Sequence, residues 1–148
     1  MWSQLLSGAA VSFINFSIHA VMTAAIVLAT RHTARATSEK GMFVRLSSLL
    51  LITVAALMCA HVVEIAVWSG YYHWNELKLN NATFFEFAFE NYTALGYGDA
   101  LPTDGNRLIG PITALNGLLL VGWSVAVIFE VMRMAELKFG RLEAKPSD

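Results

Sequence analysis

Three long stretches almost free of charge are separated by short polar segments along the chain. Positions 5–30 contain no charged residue, positions 46–69 contain a single carboxylate, and positions 108–129 again contain none. About 20 apolar residues in a helix are enough to cross the hydrocarbon core of a bilayer. The pattern therefore predicts an all-α membrane protein with three spanning helices.

Composition supports a lipid environment. Of the 148 residues, 56% are hydrophobic and only 14% are charged, which is too apolar for an ordinary soluble domain. A net charge of −1 gives no reason to expect nucleic acid as a partner, and no soluble partner is evident. The single cysteine, Cys59, cannot form an internal disulfide and is expected to be a buried thiol.

The first span is the most polar of the three. We interpret it as a retained helix, because nothing basic precedes it and no small-residue cleavage site follows its apolar run. Polar side chains inside a membrane usually face protein rather than lipid. We expect this of the following residues of the span: Ser7, Ser12, Asn15, Ser17, His19 and Thr23.

The distribution of basic residues predicts the orientation. Eight of the ten lie between spans one and two or after span three. Cytoplasmic segments carry the excess of Lys and Arg, so the N-terminus is predicted outside and the C-terminus in the cytoplasm. Four aromatic residues where span two ends are expected to lie at the headgroups as anchors: Trp68, Tyr71, Tyr72 and Trp74.

The 38 residues of 70–107 are too apolar for a solvated loop and are predicted to fold back into the membrane. Thr83 and Glu86 have the spacing of a capping box, which predicts a short helix from there to about Tyr92. Irregular backbone at membrane depth is tolerated where it lines a wet cavity, as in a pore. The alternative is an ordinary interfacial helix.

The segment Thr93-Ala94-Leu95-Gly96-Tyr97-Gly98-Asp99 follows this predicted helix. Glycine adopts backbone angles that other residues avoid, so the two glycines beside Tyr97 allow successive carbonyls to face one axis. Four such strands would form stacked rings of oxygen atoms that replace the hydration shell of a cation. A chance Gly-Tyr-Gly in a loop is the alternative.

Residues 46–133, in the order outer helix, re-entrant helix, filter and inner helix, resemble the pore domain of the potassium-channel superfamily. The resemblance divides the chain into an N-terminal helix and linker (1–45), the pore domain (46–133) and a short cytoplasmic tail (134–148). The additional first helix is similar to a small bacterial three-helix branch, which implies the bacterial inner membrane. The resemblance to the potassium-channel pore domain also implies a homotetramer.

The resemblance assigns the ion-binding carbonyls to the filter residues Thr93, Ala94, Leu95, Gly96, Tyr97 and Gly98. K⁺ at these carbonyls is the only metal expected, and no cofactor is implied. Ala94 departs from the family pattern, which has a threonine there whose hydroxyl completes the innermost site. A filter that also passes Na⁺, and a non-conducting sensor or assembly subunit, are therefore the alternatives to a K⁺-selective channel.

Two carboxylates are expected to support the filter. Glu90 lies four residues before Ala94, where some family members carry a glutamate, and it could share a proton or a water with Asp99. Two carboxyl groups in a poorly hydrated place disfavour double ionisation, so one would stay protonated. In the alternative, Glu90 simply meets external water.

In the predicted inner helix, Gly117 lies at the family's usual hinge position. Close helix packing explains a glycine there equally well. Val121 and Val125, one turn apart, are expected to line the cavity, and Asn116 is expected to face the upper cavity or the back of the filter.

His61 and Glu64 lie three residues apart on one face of the second span, where either charge alone would be costly. They are predicted to pair, with each other or with His19 of the first span. A pH sensor remains open because histidine titrates near neutrality. A metal site is disfavoured because no second histidine stands at helical spacing on this span.

Several classes of protein are not supported. No span carries arginine at every third position, so a voltage-sensing helix is not expected. No nucleotide-binding fingerprint or catalytic motif occurs, so we do not expect an enzyme. The sequence as a whole favours passive ion conduction.

Overall fold

A computed structural model describes residues 2–33, 42–80, 82–96, 102 and 105–143. It contains four helices: α1 (Trp2–Thr33), α2 (Met42–Trp74), α3 (Phe84–Tyr92) and α4 (Ile109–Glu143). Three of them, α1, α2 and α4, are long and apolar enough to cross a membrane. The all-helical fold with three candidate spans that the sequence predicts is therefore confirmed.

The three long helices pack against one another, and α3 packs between α2 and α4. One apolar core lies where α3 joins the bundle and includes Trp68, Phe87 and Leu120. A second core, around Leu57 and Val131, lies nearer the start of α2 and the end of α4. The short helix is thus fixed to the two helices that flank it in sequence.

Much apolar surface stays exposed on the single chain. Leu51, Met58 and Phe129 are 71%, 58% and 66% exposed, which in water would be unfavourable. Lipid or further copies of the chain must cover this surface. Cys59 also lies on it. The expectation of a buried thiol is therefore wrong for the isolated chain, because Cys59 falls on the side of α2 away from the other helices.

The predicted aromatic anchors divide into two groups. Trp74 is 87% exposed, as an anchor requires, whereas Trp68 and Tyr72 are fully buried in the first core. Their polar atoms are satisfied by protein: Trp68 Nε1 donates to Asn116 Oδ1 at 2.9 Å, and the Tyr72 hydroxyl lies 2.6 Å from Thr113 Oγ1. The anchor interpretation is wrong for these two residues, because α4 supplies the hydrogen bonds that headgroups would have supplied.

The capping box at the start of α3 is confirmed. The Glu86 amide donates to Thr83 Oγ1 at 3.2 Å, and the Thr83 amide and hydroxyl both donate to Glu86 Oε2 at 2.8 Å. These hydrogen bonds, the backbone one first, hold the pKa of Glu86 below its usual value.

Thr83→Ala should lower the free energy of unfolding by about 1 kcal/mol, because the N-cap oxygen is lost. Thermal unfolding in detergent, followed by tryptophan fluorescence, measures the loss. Because the pKa of Glu86 is lowered, the contribution of its carboxylate to the box is present at neutral pH and is lost as the pH falls through that pKa. A wild-type melting temperature in the variant would show that α3 does not need its cap.

The inner helix begins at Ile109, one residue after the predicted start, and continues to Glu143. Pro111 lies in its first turn, where a missing amide hydrogen costs nothing. At its other end the helix extends ten residues beyond Arg133, into the segment predicted as a tail. The loops before it are held by a bridge between Leu79 and Pro102 and by a 2.8 Å hydrogen bond from Gln4 Nε2 to Asn106 Oδ1.

Candidate functional site

The end of α3 turns directly into the glycine-containing segment. The Leu95 amide donates to the Glu90 carbonyl at 3.0 Å, and the Ala94 amide donates to the Asn91 carbonyl at 2.9 Å. This pair of hydrogen bonds is a Schellman motif, in which one residue adopts the left-handed conformation that usually selects glycine. That residue is Ala94, with φ 55°.

The backbone of the next residues continues this unusual conformation. Gly96 has φ 109°, so positive φ occurs at alternate positions 94 and 96. Glycine adopts this region without the steric penalty of a Cβ atom. Alternation of this kind lets successive carbonyls point to one side of the strand. Tyr97, Gly98 and Asp99 lie outside the described residues.

Glu90 is partly buried beside this turn. Its Oε2 atom is shielded from solvent and has no hydrogen-bond partner among the residues that the structure describes. A buried carboxylate oxygen without a partner is unfavourable. Asp99, its predicted partner, lies outside the described residues, so the pair stays a prediction.

Gly117 lies where α4 passes the end of α3. A Cβ atom built on Gly117 would lie 1.9 Å from the carbonyl oxygen of Tyr92. No side chain fits at that distance, so the contact requires glycine. Close approach is thus one definite reason for this glycine, while its role as a hinge stays a prediction.

The predicted cavity residues Val121 and Val125 lie one and two turns after Gly117 on α4. Val121 and Val125 are 45% and 48% exposed on the single chain, and their role in lining a cavity stays a prediction. Asn116 does not face a cavity. It is buried, and its Oδ1 accepts hydrogen bonds from Asn15 of α1 at 3.1 Å and from Trp68 of α2.

A cluster of ionisable side chains lies buried where the four helices meet. At its centre, the Glu64 carboxylate lies 2.9 Å from His19 Nδ1 through Oε1 and 3.1 Å from His61 Nδ1 through Oε2. The Tyr92 hydroxyl donates to Oε2. We call His19, His61, Glu64 and Tyr92 the Glu64 cluster. It joins α1, α2 and the last residue of α3.

Ser124 of α4 closes the cluster on its far side. Its Oγ lies 2.9 Å from His61 Nε2 and 3.3 Å from His19 Nε2. The backbone of Glu64 takes part as well, because its carbonyl accepts a 3.2 Å hydrogen bond from Asn15 Nδ2. All four helices are therefore linked through polar contacts inside the apolar bundle.

The sequence predicted part of this arrangement. The pairing of His61 with Glu64, and the alternative tie to His19, both correspond to distances seen here. Tyr92 and Ser124 had no apparent role in the sequence. The sequence signal for such partners was the presence of polar side chains within a span, where they are costly unless they contact protein. Asn15 and His19 lie one turn apart on one face of α1, and both are fully buried.

Comparison with known proteins assigns a family to most of the chain. The model of a family described as "Ion channel" matches residues 48–134, which is more than half of the chain. The chain belongs to the ion channel family. Neither a curated protein nor a solved structure matches it. In this ion channel the matched region begins within α2 and ends within α4, so α1 is an addition to it.

Proposed function

We propose that the protein is a K⁺-selective channel that conducts passively across the cell membrane, as a homotetramer with three spanning helices and one re-entrant helix per chain. The Thr93–Gly98 carbonyls form the filter, with K⁺ as the permeant ion and no cofactor. The observation that carries this proposal is the positive φ at alternate residues Ala94 and Gly96, leading into Gly-Tyr-Gly at the end of a capped short helix.

A single chain cannot complete the proposed filter, and this supports fourfold assembly. One strand supplies only one oxygen atom to each ring, so a ring of four needs four chains. On α4, Leu118, Val121 and Val125 are each about half exposed in the single chain. Closed rotational symmetry covers such a surface with an identical chain. Lipid covers the remaining apolar exterior.

Ala94 favours a second candidate, a channel that passes Na⁺ as well as K⁺. A methyl group stands where a hydroxyl would complete the innermost site, so that site keeps carbonyl oxygens and water only. Fewer or weaker oxygen ligands reduce the distinction between the two cations.

The decisive experiment is ion-driven proton uptake into liposomes that contain the purified protein. With K⁺ inside, K⁺ efflux should drive proton entry through a protonophore and quench a pH-sensitive dye, and with Na⁺ inside the signal should be much smaller. Equal signals for both ions would establish the weakly selective channel. No signal for either ion, from a correctly folded oligomer, would establish a non-conducting protein.

A matched pair of glycine substitutions links flux to the filter. Gly96 and Gly105 both have positive φ, 109° and 80°, and neither has a heavy atom that would contact an added Cβ. Alanine strains the backbone at both positions, at a cost of roughly 1–3 kcal/mol. Gly96→Ala should reduce K⁺ flux at least tenfold, while Gly105→Ala should keep it. Equal flux in the two variants would argue against a filter at residue 96.

We propose that the N-terminus lies outside and the C-terminus in the cytoplasm of a bacterial inner membrane, because eight of ten basic residues fall on one side. In a Cys59→Ala background, single cysteines at Ser3 and Asn75 should react with an impermeant thiol reagent added to intact cells. A cysteine at Ser38 should not. If only the cysteine at position 38 reacts, the orientation is the opposite of the one proposed.

A further inference from the structure

We propose that His19, His61 and Glu64 form a binding site for a divalent transition-metal ion of the Zn²⁺ type. One potential ligand atom from each residue lies within 4.8 Å of the other two. The His19 and Glu64 side chains are fully buried and that of His61 is 13% exposed. The sequence disfavoured a metal here because α2 has no second histidine at helical spacing. In the structure, His19 of α1 is that second histidine.

The ligand set selects the class of metal. Two imidazole nitrogens and one carboxylate are ligands that Zn²⁺ and its neighbours prefer, and His₂Glu with a fourth, exchangeable position is an established zinc set. Zinc bonds of 2.0–2.1 Å at tetrahedral angles separate neighbouring ligand atoms by roughly 3.3 Å. His19 Nδ1 lies 2.9 Å from Glu64 Oε1 and His61 Nδ1 lies 3.1 Å from Glu64 Oε2, so each distance is a few tenths of an ångström short of that separation. All the ligand atoms lie within 4.8 Å of one another, so small rotations of the side chains would bring both nitrogens and one carboxylate oxygen to a single ion.

Both imidazoles are oriented as metal ligands. Each presents Nδ1 to the Glu64 carboxylate and Nε2 to Ser124 Oγ. When Nε2 carries the hydrogen and donates it to the serine oxygen, the Nδ1 lone pair points towards the carboxylate. A metal-bound histidine usually donates its other N–H to an oxygen in this way, which fixes the tautomer. The serine oxygen has two lone pairs, one for each ring.

Charge gives the site its stabilisation. A buried carboxylate is costly unless a positive charge lies beside it. The partners of Glu64 among the described residues are two histidines and a tyrosine, so a protonated imidazole or a metal ion must supply that charge. A divalent ion does so while using both Nδ1 atoms as ligands. The Tyr92 hydroxyl lies 2.7 Å from His61 Nδ1 and is therefore an oxygen within reach of the fourth position.

The position gives the metal a structural task. The ion would tie α1 to α2 and hold the hydroxyl of Tyr92, whose backbone carbonyl contacts Gly117 of α4. Tyr92 directly precedes Thr93. An effect of the metal on conduction would rest on the proposed function, but binding of the metal does not.

The test measures bound metal rather than flux, so its failure and the failure of the proposed function are distinguishable. Untagged full-length protein, carrying Cys59→Ser to remove the only thiol, is purified in detergent, loaded with Zn²⁺ and dialysed. Mass spectrometry of the metal should give about one Zn²⁺ per chain. Loading with Co²⁺ instead should give the visible absorption of a tetrahedral site.

His19→Gln and His61→Gln should each weaken Zn²⁺ binding by about 100-fold or more, since loss of a ligand exceeds the 10- to 100-fold typical of outer-shell partners. Ser124→Ala should weaken it by about 10-fold, as an outer-shell loss. The control is His73→Gln, which removes an exposed imidazole at the end of α2 and should change nothing.

Glutamine at position 19 keeps an N–H donor for Glu64, and circular dichroism in the presence of a chelator verifies the fold. If His19→Gln does not fold, the Zn²⁺ affinities of His61→Gln and Ser124→Ala test the proposal. At 100 times its dissociation constant, Zn²⁺ should raise the ratio of folded to unfolded wild-type protein about 100-fold. No Zn²⁺ on the wild-type protein after dialysis, or undiminished binding in the two histidine variants, would overturn the proposal.

Discussion

Gly117→Ala should destabilise the protein strongly, and far more than the same change at Gly122 of the same helix. The new Cβ would lie 1.9 Å from the Tyr92 carbonyl oxygen and 2.8 Å from its carbon. Both are backbone atoms at the end of a helix and cannot turn aside as a side chain can. Overpacking of this kind costs roughly 3 kcal/mol, and α3 or α4 must move to relieve it.

For a chain of this size, such a loss corresponds to a fall in melting temperature of roughly 6–12 °C. Tryptophan fluorescence during heating in detergent measures it. Because Tyr92 directly precedes the proposed filter, K⁺ flux in liposomes should, if the proposed function holds, fall together with stability. The displacement of α3 would move the carbonyl strand that follows it.

Gly122→Ala is the matched control. It lies on the same helix, and an added Cβ there would have no heavy atom within 4 Å. Alanine is the better helix former by up to about 1 kcal/mol, so this variant should be as stable as the wild type or slightly more stable. A wild-type melting temperature in Gly117→Ala would show that α4 does not pass α3 as closely as described.

Glu64→Gln should produce the second large loss, about 3 kcal/mol in the free energy of unfolding. The carboxylate accepts hydrogen bonds from His19, His61 and Tyr92. A glutamine amide has a single oxygen, and its NH₂ group would face a side chain that now donates. Removing one partner of a buried ionic cluster leaves the others without compensation.

The measurement is the melting temperature at neutral pH with a chelator present, so that bound metal does not contribute. The matched control is Glu130→Gln on α4, which removes an exposed carboxylate paired with Arg133 at 2.8 Å. Exposed pairs of this kind contribute little, so the control should melt as the wild type does.

A double-variant cycle adds a test of coupling. If His19 and Glu64 interact directly, the loss in the double variant should be smaller than the sum of the two single losses. Additive losses, or a Glu64→Gln variant as stable as Glu130→Gln, would contradict the buried cluster.

Local patterns in the sequence were sufficient for the elements of the fold. The charge-free stretches predicted α1, α2 and α4 because crossing a bilayer depends on the length and polarity of one continuous segment. The start of α3 was predictable for a similar reason. Thr83 and Glu86 are three residues apart, and their mutual hydrogen bonds form within a single helical turn.

The contacts between helices were decided by the tertiary structure. His19 and Ser124 are 105 positions apart, and Tyr92 and Glu64 are 28 apart. The sequence indicated that Asn15 and His19 should seek protein partners, because polar groups in lipid are costly. It could not indicate which partners, since several polar residues on the other spans would satisfy that requirement equally well.

The sequence by itself thus determined the three spanning helices, the capped short helix and the motif that follows it. Only the tertiary structure decided that Trp68 and Tyr72 are buried rather than at the headgroups, that Gly117 meets a backbone carbonyl, and that two histidines converge on Glu64. The physical reason is the range of the interactions. Hydropathy and capping act between neighbours in the chain, whereas burial and polar pairing depend on how the helices rotate and cross.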